Sequence, residues 1–146
     1  MISITLKGGE ELQKRLRQGG TKLRSIMGEA LEASLVYIKS CVQKQVAQTT
    51  QSHSAFLRNR WDLSVSKDRA SITSGVKYAR YLEEGTRPYT IYPNEKKALF
   101  WKGAAYPVKK VNHPGIKARH FMEYGLKDAL PGMKKIFERA VNMIFE

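Results

Sequence analysis

The side chains best suited to acid–base or metal chemistry are three histidines and two adjacent glutamates: His53, His113, His120, Glu83 and Glu84. His113 and His120 lie on either side of a Pro-Gly turn, and this spacing matches no preset pair of zinc ligands. Adjacent helical residues point in different directions, so Glu83 and Glu84 cannot flank one bond as acid and base. We therefore predict no metal site and no catalytic residue. We expect one glutamate in a local salt bridge and the other in solvent.

Other catalytic and cofactor motifs are absent from the sequence. The chain contains no glycine-rich dinucleotide motif, Walker loop, HExxH or GxSxG pattern, so no cofactor is predicted. Its single cysteine, Cys41, cannot form an internal disulfide, and its place on an apolar stripe favours a buried structural thiol. No apolar run approaches the roughly 20 residues of a membrane span, so we expect no membrane partner, and a reducing cytoplasm is the default compartment.

Positive charge dominates the chain. Its 146 residues include 26 Lys and Arg against 13 Asp and Glu, a net charge of +13. This favours a polyanionic neighbour such as nucleic acid, an acidic protein surface or anionic lipid. The densest basic segment contains Lys96, Lys97, Lys102, Lys109, Lys110, Lys117 and Arg119. A solvated rim is slightly favoured over nucleic-acid contact there, because charge alone gives steering and nonspecific affinity but no site.

Aromatic residues lie among these lysines. Phe100, Trp101 and Tyr106 could stack on bases beside a basic groove. However, the unbroken apolar run Ala98–Trp101 is more typical of a sheet core or a subunit contact than of an open stacking platform.

The first half of the chain combines a short strand with one long helix. Residues 2–6 alternate as a half-buried strand, and a short helix is predicted over Glu10–Gln18. Apolar residues then recur at three- and four-residue steps from Lys22 to about Gln48, which predicts a helix roughly 40 Å long. Such a helix can pack on the chain's own sheet or reach across a neighbouring subunit. The polar segment Gln48–Asn59 is predicted to be a mobile loop.

The second half begins with a hairpin and ends with helices. Alternation predicts a hairpin with one apolar face, and a short helix follows that ends at a positive-φ Gly85. The hairpin strands are predicted at Trp61–Val65 and Ile72–Val76, and the short helix at Tyr78–Glu84. Three further strands are predicted at Tyr89–Ile91, Ala98–Lys102 and Tyr106–Val111. After a His113-Pro114-Gly115 turn, helices over Phe121–Leu130 and Met133–Ile144 are interrupted at Pro131-Gly132. The prediction is one α+β domain, residues 1–146, with a long N-terminal helix on a small, mostly antiparallel sheet and C-terminal helices.

Two segments form an ordered motif. They are Tyr78–Pro88, with the sequence YARYLEEGTRP, and Val111–Met122, with the sequence VNHPGIKARHFM; Pro93 and the run Lys97–Trp101 lie between them. Over residues 76–130 the set resembles the tail-completion, or head–tail joining, proteins of long-tailed bacteriophages and prophages. This chain has Glu84 where the family more often has an aromatic residue, and His120 where it more often has proline. The resemblance marks these motif residues as structural: Tyr81, Glu83, Gly85, Thr86, Pro88, His113, Pro114, Gly115 and Phe121.

The resemblance implies a structural protein of the virion, assembled in the bacterial host cytoplasm, that acts by oligomerisation and docking without chemical turnover. Such subunits form a homo-oligomeric ring between the DNA-filled head and the tail, either alone or only on their connector and tail partners. A ring needs two complementary patches on each subunit. The candidates are the long helix with its following loop and the exposed part of the Leu99–Tyr106 strands. For the basic segment, an acidic protein partner is slightly favoured over DNA.

Two other functions stay open. The first is a small basic nucleic-acid-binding protein of prophage origin, which the net charge supports. The second and more distant one is a hydrolase, whose activity would have to depend on Glu83 and His113. The salt dependence of DNA affinity distinguishes the first of these from an assembly protein.

Overall fold

The chain alternates short strands with two long helices. The structure, a computed structural model, describes residues 2–6, 20–50, 54–66, 69–95 and 97–145. Its elements are β1 (Ile2–Leu6), α1 (Gly20–Thr49), α2 (Ser54–Asn59), β2 (Trp61–Ser66), β3 (Arg69–Ser74), α3 (Ala79–Glu84), β4 (Tyr89–Ile91), β5 (Val111–His113) and α4 (Phe121–Phe145). The predicted α+β class is confirmed, and the helix predicted over Glu10–Gln18 lies outside the described residues.

Helix α1 carries the apolar stripe that its sequence spacing predicts. The stripe faces the main core, in which the buried residues from α1 are Leu35, Ile38, Val42 and Val46. Cys41 packs against the same core but is only half-buried, so the prediction of a fully buried thiol is wrong. The stripe lies between α4 and the sheet, since α1 contacts α4, β2 and β3.

Helix α4 packs antiparallel along α1, and two glycines allow the close approach. A Cβ on Gly125 would lie 2.7 Å from the Cα of Val42, and a Cβ on Gly132 would collide with the ring of Tyr37. The first aromatic residue of α4, Phe121, is fully buried, as predicted. Its ring meets the ring of Trp61 edge-on, with centroids 6.3 Å apart.

The predicted break at Pro131-Gly132 is wrong, because α4 continues through Pro131 to Phe145. Proline removes one backbone hydrogen bond and usually kinks or ends a helix. Here Pro131 lies on the exposed side, while Ala129 and Met133 on either side of it are buried against the core. Packing of this stripe on α1 outweighs the local preference of the Pro-Gly pair for a turn.

The larger sheet has the strand order β1-β3-β2, and all its pairs are antiparallel. The predicted hairpin is confirmed: Trp61 pairs with Ser74 and Leu63 with Ile72, so these alternate positions share one face. Trp61 and Ile72 are buried in the core that α1 also lines. The predicted small antiparallel sheet therefore packs on the long helix.

The segment Gln48–Asn59 was predicted to be a loop, but Ser54–Asn59 forms α2. Its Leu57 is 1% exposed and packs in the main core. The side-chain amide of Gln43 donates to the carbonyl of Arg58 at 2.8 Å, which ties α2 to α1. One buried leucine in a polar stretch gives no periodicity, so the sequence pattern could not show this helix.

The strands predicted at Ala98–Lys102 and Tyr106–Val111 are also wrong. Leu99 and Val108 form an isolated antiparallel bridge there, with N–H···O distances of 2.8 and 3.0 Å. The second, smaller sheet of the structure has two strands, β4 and β5, and β5 begins at Val111. Pro107 has no backbone N–H to donate, which helps to limit the pairing around Val108.

Candidate docking surface

Residues 86–116, which we call the arm, form an extended two-stranded ribbon between α3 and α4. At its base Thr86 bridges Ile116, and further out β4 pairs antiparallel with β5. The Leu99–Val108 bridge holds the outer part together. The arm is therefore held by backbone hydrogen bonds along its length.

None of the arm residues that the structure describes is buried. Tyr92 and Phe100 are each 66% exposed, Tyr106 is 69% exposed and Trp101 is 50% exposed. The expectation that the Ala98–Trp101 run fills a sheet core is thus wrong for both of its aromatic residues. The alternative expectation, that this run forms a subunit contact, stays a prediction that these exposures favour.

Exposed lysines lie in the same part of the sequence as the aromatic side chains of the arm. The exposed lysines of the basic segment are Lys97, Lys102, Lys109, Lys110 and Lys117, and Lys96 lies outside the described residues. None of these five forms a salt bridge with another described residue. The outer arm therefore presents apolar rings and uncompensated positive charge together.

Arg119 has a different role from these lysines. It is half-buried, and its Nη1 donates to the carbonyl oxygen of Thr49 at the last residue of α1. A cation here satisfies an orphan carbonyl and the negative end of the helix dipole. This contact engages Arg119 within the fold, so its assignment to the DNA-facing or partner-facing set stays a prediction with less support than that of the exposed lysines.

Two glycines fix the base of the arm by reciprocal close approach. Gly85 has φ +75°, so its predicted positive φ is confirmed, and Gly115 has φ +88°. A Cβ on Gly85 would lie 2.6 Å from the carbonyl oxygen of Ile116 and 2.7 Å from the amide nitrogen of Ala118. A Cβ on Gly115 would collide with the carbonyl oxygen of Thr86. Each glycine therefore lets the opposite backbone come within hydrogen-bonding range.

Thr86 joins the two motif segments through backbone and side-chain hydrogen bonds. Its N–H donates to the carbonyl of Ile116 at 2.8 Å, and the N–H of Ile116 donates to Thr86 Oγ1 at 2.9 Å. Just beyond this bridge, the N–H of Arg119 donates to the carbonyl of Leu82 at 2.9 Å. The end of α3 and the start of α4 are thereby held side by side.

The two adjacent glutamates have separate structural roles. The backbone N–H groups of Met122 and Glu123 donate to the two carboxylate oxygens of Glu83, at 3.0 and 3.3 Å. Glu83 thus caps the start of α4, so the expectation that one glutamate faces solvent is wrong. Glu84 accepts a hydrogen bond from Arg80 Nε at 2.9 Å, which is the predicted local salt bridge and raises the pKa of Arg80.

The histidines of the motif make separate local contacts. His113 stacks on Tyr89 with centroids 4.8 Å apart, and its Nδ1 accepts from the N–H of Gly115 at 3.0 Å. His120 has φ +48°, a conformation that proline, with φ fixed near −65°, cannot adopt. His120 Nδ1 lies 3.5 Å from the carboxylate of Glu123.

An open groove of about 670 Å³ lies beside the base of the arm. It is lined by Tyr78, Tyr81, Leu82, Thr86, Tyr89 and Ile116. Tyr78, Tyr81 and Leu82 share a face that lines the groove, and Tyr81 is 56% exposed. Pro88 and Pro114 are also exposed, directly before β4 and directly after β5.

The other candidate patch, the long helix with its following segment, also exposes apolar side chains. On α1 these are Val36, 60% exposed, and Tyr37, 38% exposed. On α2 the exposed ring is that of Phe56, over which the guanidinium of Arg60 lies at 4.7 Å. Both patches proposed from the sequence thus present apolar surface in the part of the chain that the structure describes.

The described residues bring no three His, Cys, Asp or Glu side chains together as a metal site. Among the helices described, none combines the length and apolarity needed to cross a bilayer. No protein-family model, no curated protein and no solved structure matches the chain.

Proposed function

We propose that this protein is a structural assembly component of a long-tailed phage or prophage particle, at the interface between head and tail. It acts by forming a ring of identical subunits that docks onto connector and tail proteins, with no chemical turnover. The resemblance of the motif segments supports the particle and the place in it. The physical roles of Glu83, Gly85, Thr86 and Gly115 support the motif as a structural unit. Glu83 caps the start of α4, and the other three hold the chain that follows α3 against the segment before α4.

The observation that carries the proposal is the arm. A segment of this length in which no described residue is buried gains little from its own fold, yet it displays Phe100, Trp101 and Tyr106. Contiguous exposed rings of this kind mark interaction surfaces in soluble proteins, because solvating them is unfavourable. Aromatic residues are also enriched in the central part of protein interfaces.

The solution mass of the full chain, alone and with connector and tail proteins, tests the proposal. We expect a multiple of the 16.6 kDa subunit, with the free protein or only with the partners. Sedimentation velocity over a range of protein concentrations provides the measurement. A chain that remains a monomer at every concentration and with every partner contradicts the proposal.

A second candidate function is nonspecific nucleic-acid binding by the arm. The exposure of Phe100 and Trp101 beside Lys97 and Lys102 favours it, because bases stack on exposed rings next to a cationic backbone groove. Submicromolar affinity near physiological salt, falling steeply on a log–log plot against salt, is the result this function predicts. Association of subunits with negligible DNA binding is the result that the assembly function predicts.

A further inference from the structure

We infer that the arm of one subunit docks on the outer face of α1 in a second copy of the chain, with Phe100, Trp101 and the neighbouring lysines against Val36, Glu29 and Glu32. This inference rests on the proposed function, since it identifies the two surfaces that join the subunits. It also determines the type of contact. Two different surfaces give a head-to-tail interface, which closes into a ring when the rotation between subunits allows it.

The outer face of α1 has the composition that the arm requires. Glu29, Glu32 and Val36 are spaced by three and four residues, so they lie on one stripe opposite the core. All three are exposed, and neither carboxylate forms a salt bridge with another described residue. The stripe therefore presents two negative charges, Glu32 about one turn and Glu29 about two turns from the exposed Val36.

The net positive charge of the chain favours this face of α1 as the docking site for the arm of a second copy. Each chain carries +13, so two copies repel unless the basic arm meets a locally acidic surface. Most other described carboxylates already have partners: Glu83 caps α4, and Glu84, Glu123 and Glu138 form salt bridges. Glu29 and Glu32 are the pair of adjacent carboxylates without such a partner among the described residues. They are therefore the acidic feature best suited to receive the arm.

The contact is between chains and not within one. Val36, Glu29 and Glu32 are exposed in the same structure in which Phe100 and Trp101 are exposed. The arm therefore does not cover the α1 face of its own subunit.

The available area is consistent with a specific contact. Four aromatic side chains at half to two-thirds exposure, each burying about 150–250 Å² in full, offer on the order of 400–500 Å². A standard interface buries about 800 Å² on each partner. The rings thus supply roughly half of the area, and the lysine stems and adjoining backbone of the arm can supply the rest.

Cysteine cross-linking tests the contact even where association is weak. Two singly substituted chains of different length tag, Trp101→Cys and Val36→Cys, are mixed in a Cys41→Ser background and oxidised. We expect a disulfide-linked heterodimer. The matched control replaces Val36→Cys with Met143→Cys, which is 56% exposed on α4 and is not one of the residues of the inferred contact. Equal cross-linking of both positions, or of neither, overturns the inference.

Charge reversal tests the same contact without cysteine. Glu29→Lys with Glu32→Lys, or Lys102→Glu with Lys109→Glu, should each weaken self-association by roughly tenfold or more, and combining all four changes in one chain should restore much of it. If neither pair of reversals changes self-association, the inference is overturned while the proposed function stands. If the chain does not associate, either alone or with connector and tail proteins, and the lysine reversals instead abolish DNA binding, both are overturned.

Discussion

The body of this protein, formed by α1, α4 and the three-stranded sheet, and the arm are held in shape by different interactions. In the body, α1, α4 and the three-stranded sheet bury a continuous core that includes Leu35, Ile38 and Phe121. In the arm, no described residue is buried, and the conformation is fixed by backbone pairing and by two glycines at the base. The body therefore accounts for stability, while the arm leaves its side chains available to a partner.

The largest effect should come from matched phenylalanines, one in each region. Phe121→Ala should lower the free energy of unfolding by about 3–5 kcal/mol, because the ring is fully buried and leaves a cavity. Phe100→Ala removes the same side chain where it is 66% exposed, so the change should lie within about 0.5 kcal/mol. Urea denaturation of both variants provides the measurement. Similar losses would contradict the division between body and arm.

Glycines at the base and the outer part of the arm should also differ. Gly85→Ala forces a Cβ against backbone atoms of Ile116 and Ala118, whereas a Cβ on Gly103, at φ +101°, meets nothing within 4 Å. Both substitutions carry a conformational cost of about 1–2 kcal/mol, and Gly85→Ala should cost about 1–3 kcal/mol more through the collision. Thermal and urea unfolding measure the difference. Equal costs would show that close approach does not fix the base.

The adjacent glutamates offer a comparison of smaller effects. Glu83→Gln weakens two charge-assisted bonds to the start of α4 and should cost about 1 kcal/mol of stability. Glu84→Gln disrupts an exposed ion pair with Arg80 and should leave stability almost unchanged. Unfolding curves of the two variants measure the difference in stability. A larger loss for Glu84→Gln would contradict the capping role.

The smallest effect on stability should come from the outer arm. The double variant Trp101→Ala with Tyr106→Ala should change the free energy of unfolding of the monomer by no more than about 0.5 kcal/mol, because both rings are largely in solvent. The same variant should lose self-association by tenfold or more if these rings are hot spots. Sedimentation velocity and urea denaturation, taken together, separate the two effects. A large loss of stability would mean that the rings belong to the fold.

Periodicity predicted the body well. The three- and four-residue spacing along α1 placed Leu35, Ile38, Val42 and Val46 in the core, and alternation placed Trp61 and Ile72 on one sheet face. These signals are local, and each is repeated several times. Helix α2 was not predicted, because Leu57 is its single buried residue and gives no periodic pattern. The break predicted at Pro131 was wrong, because packing on α1 overrides the local preference of proline.

Contacts between distant segments could not be predicted. The bond from Arg119 to Thr49 joins residues 70 positions apart and removes Arg119 from the set of exposed cations. The role of Glu83 as a cap depends on a helix that begins 38 residues later in the sequence. The exposure of Phe100 and Trp101 could not be predicted either, because an apolar run has the same sequence pattern in a core and in an interface.

Tryptophan accessibility tests the role of the arm most directly. The chain has two tryptophans: Trp61 is 4% exposed in the core and Trp101 is 50% exposed on the arm, so acrylamide quenching of the wild-type protein reports mainly on the arm. As subunits associate, alone or on connector and tail proteins, we predict that quenching of Trp101 falls in step with the rise in mass. Assembled subunits in which Trp101 stays as accessible as in the monomer would contradict the assignment of the arm as the docking surface.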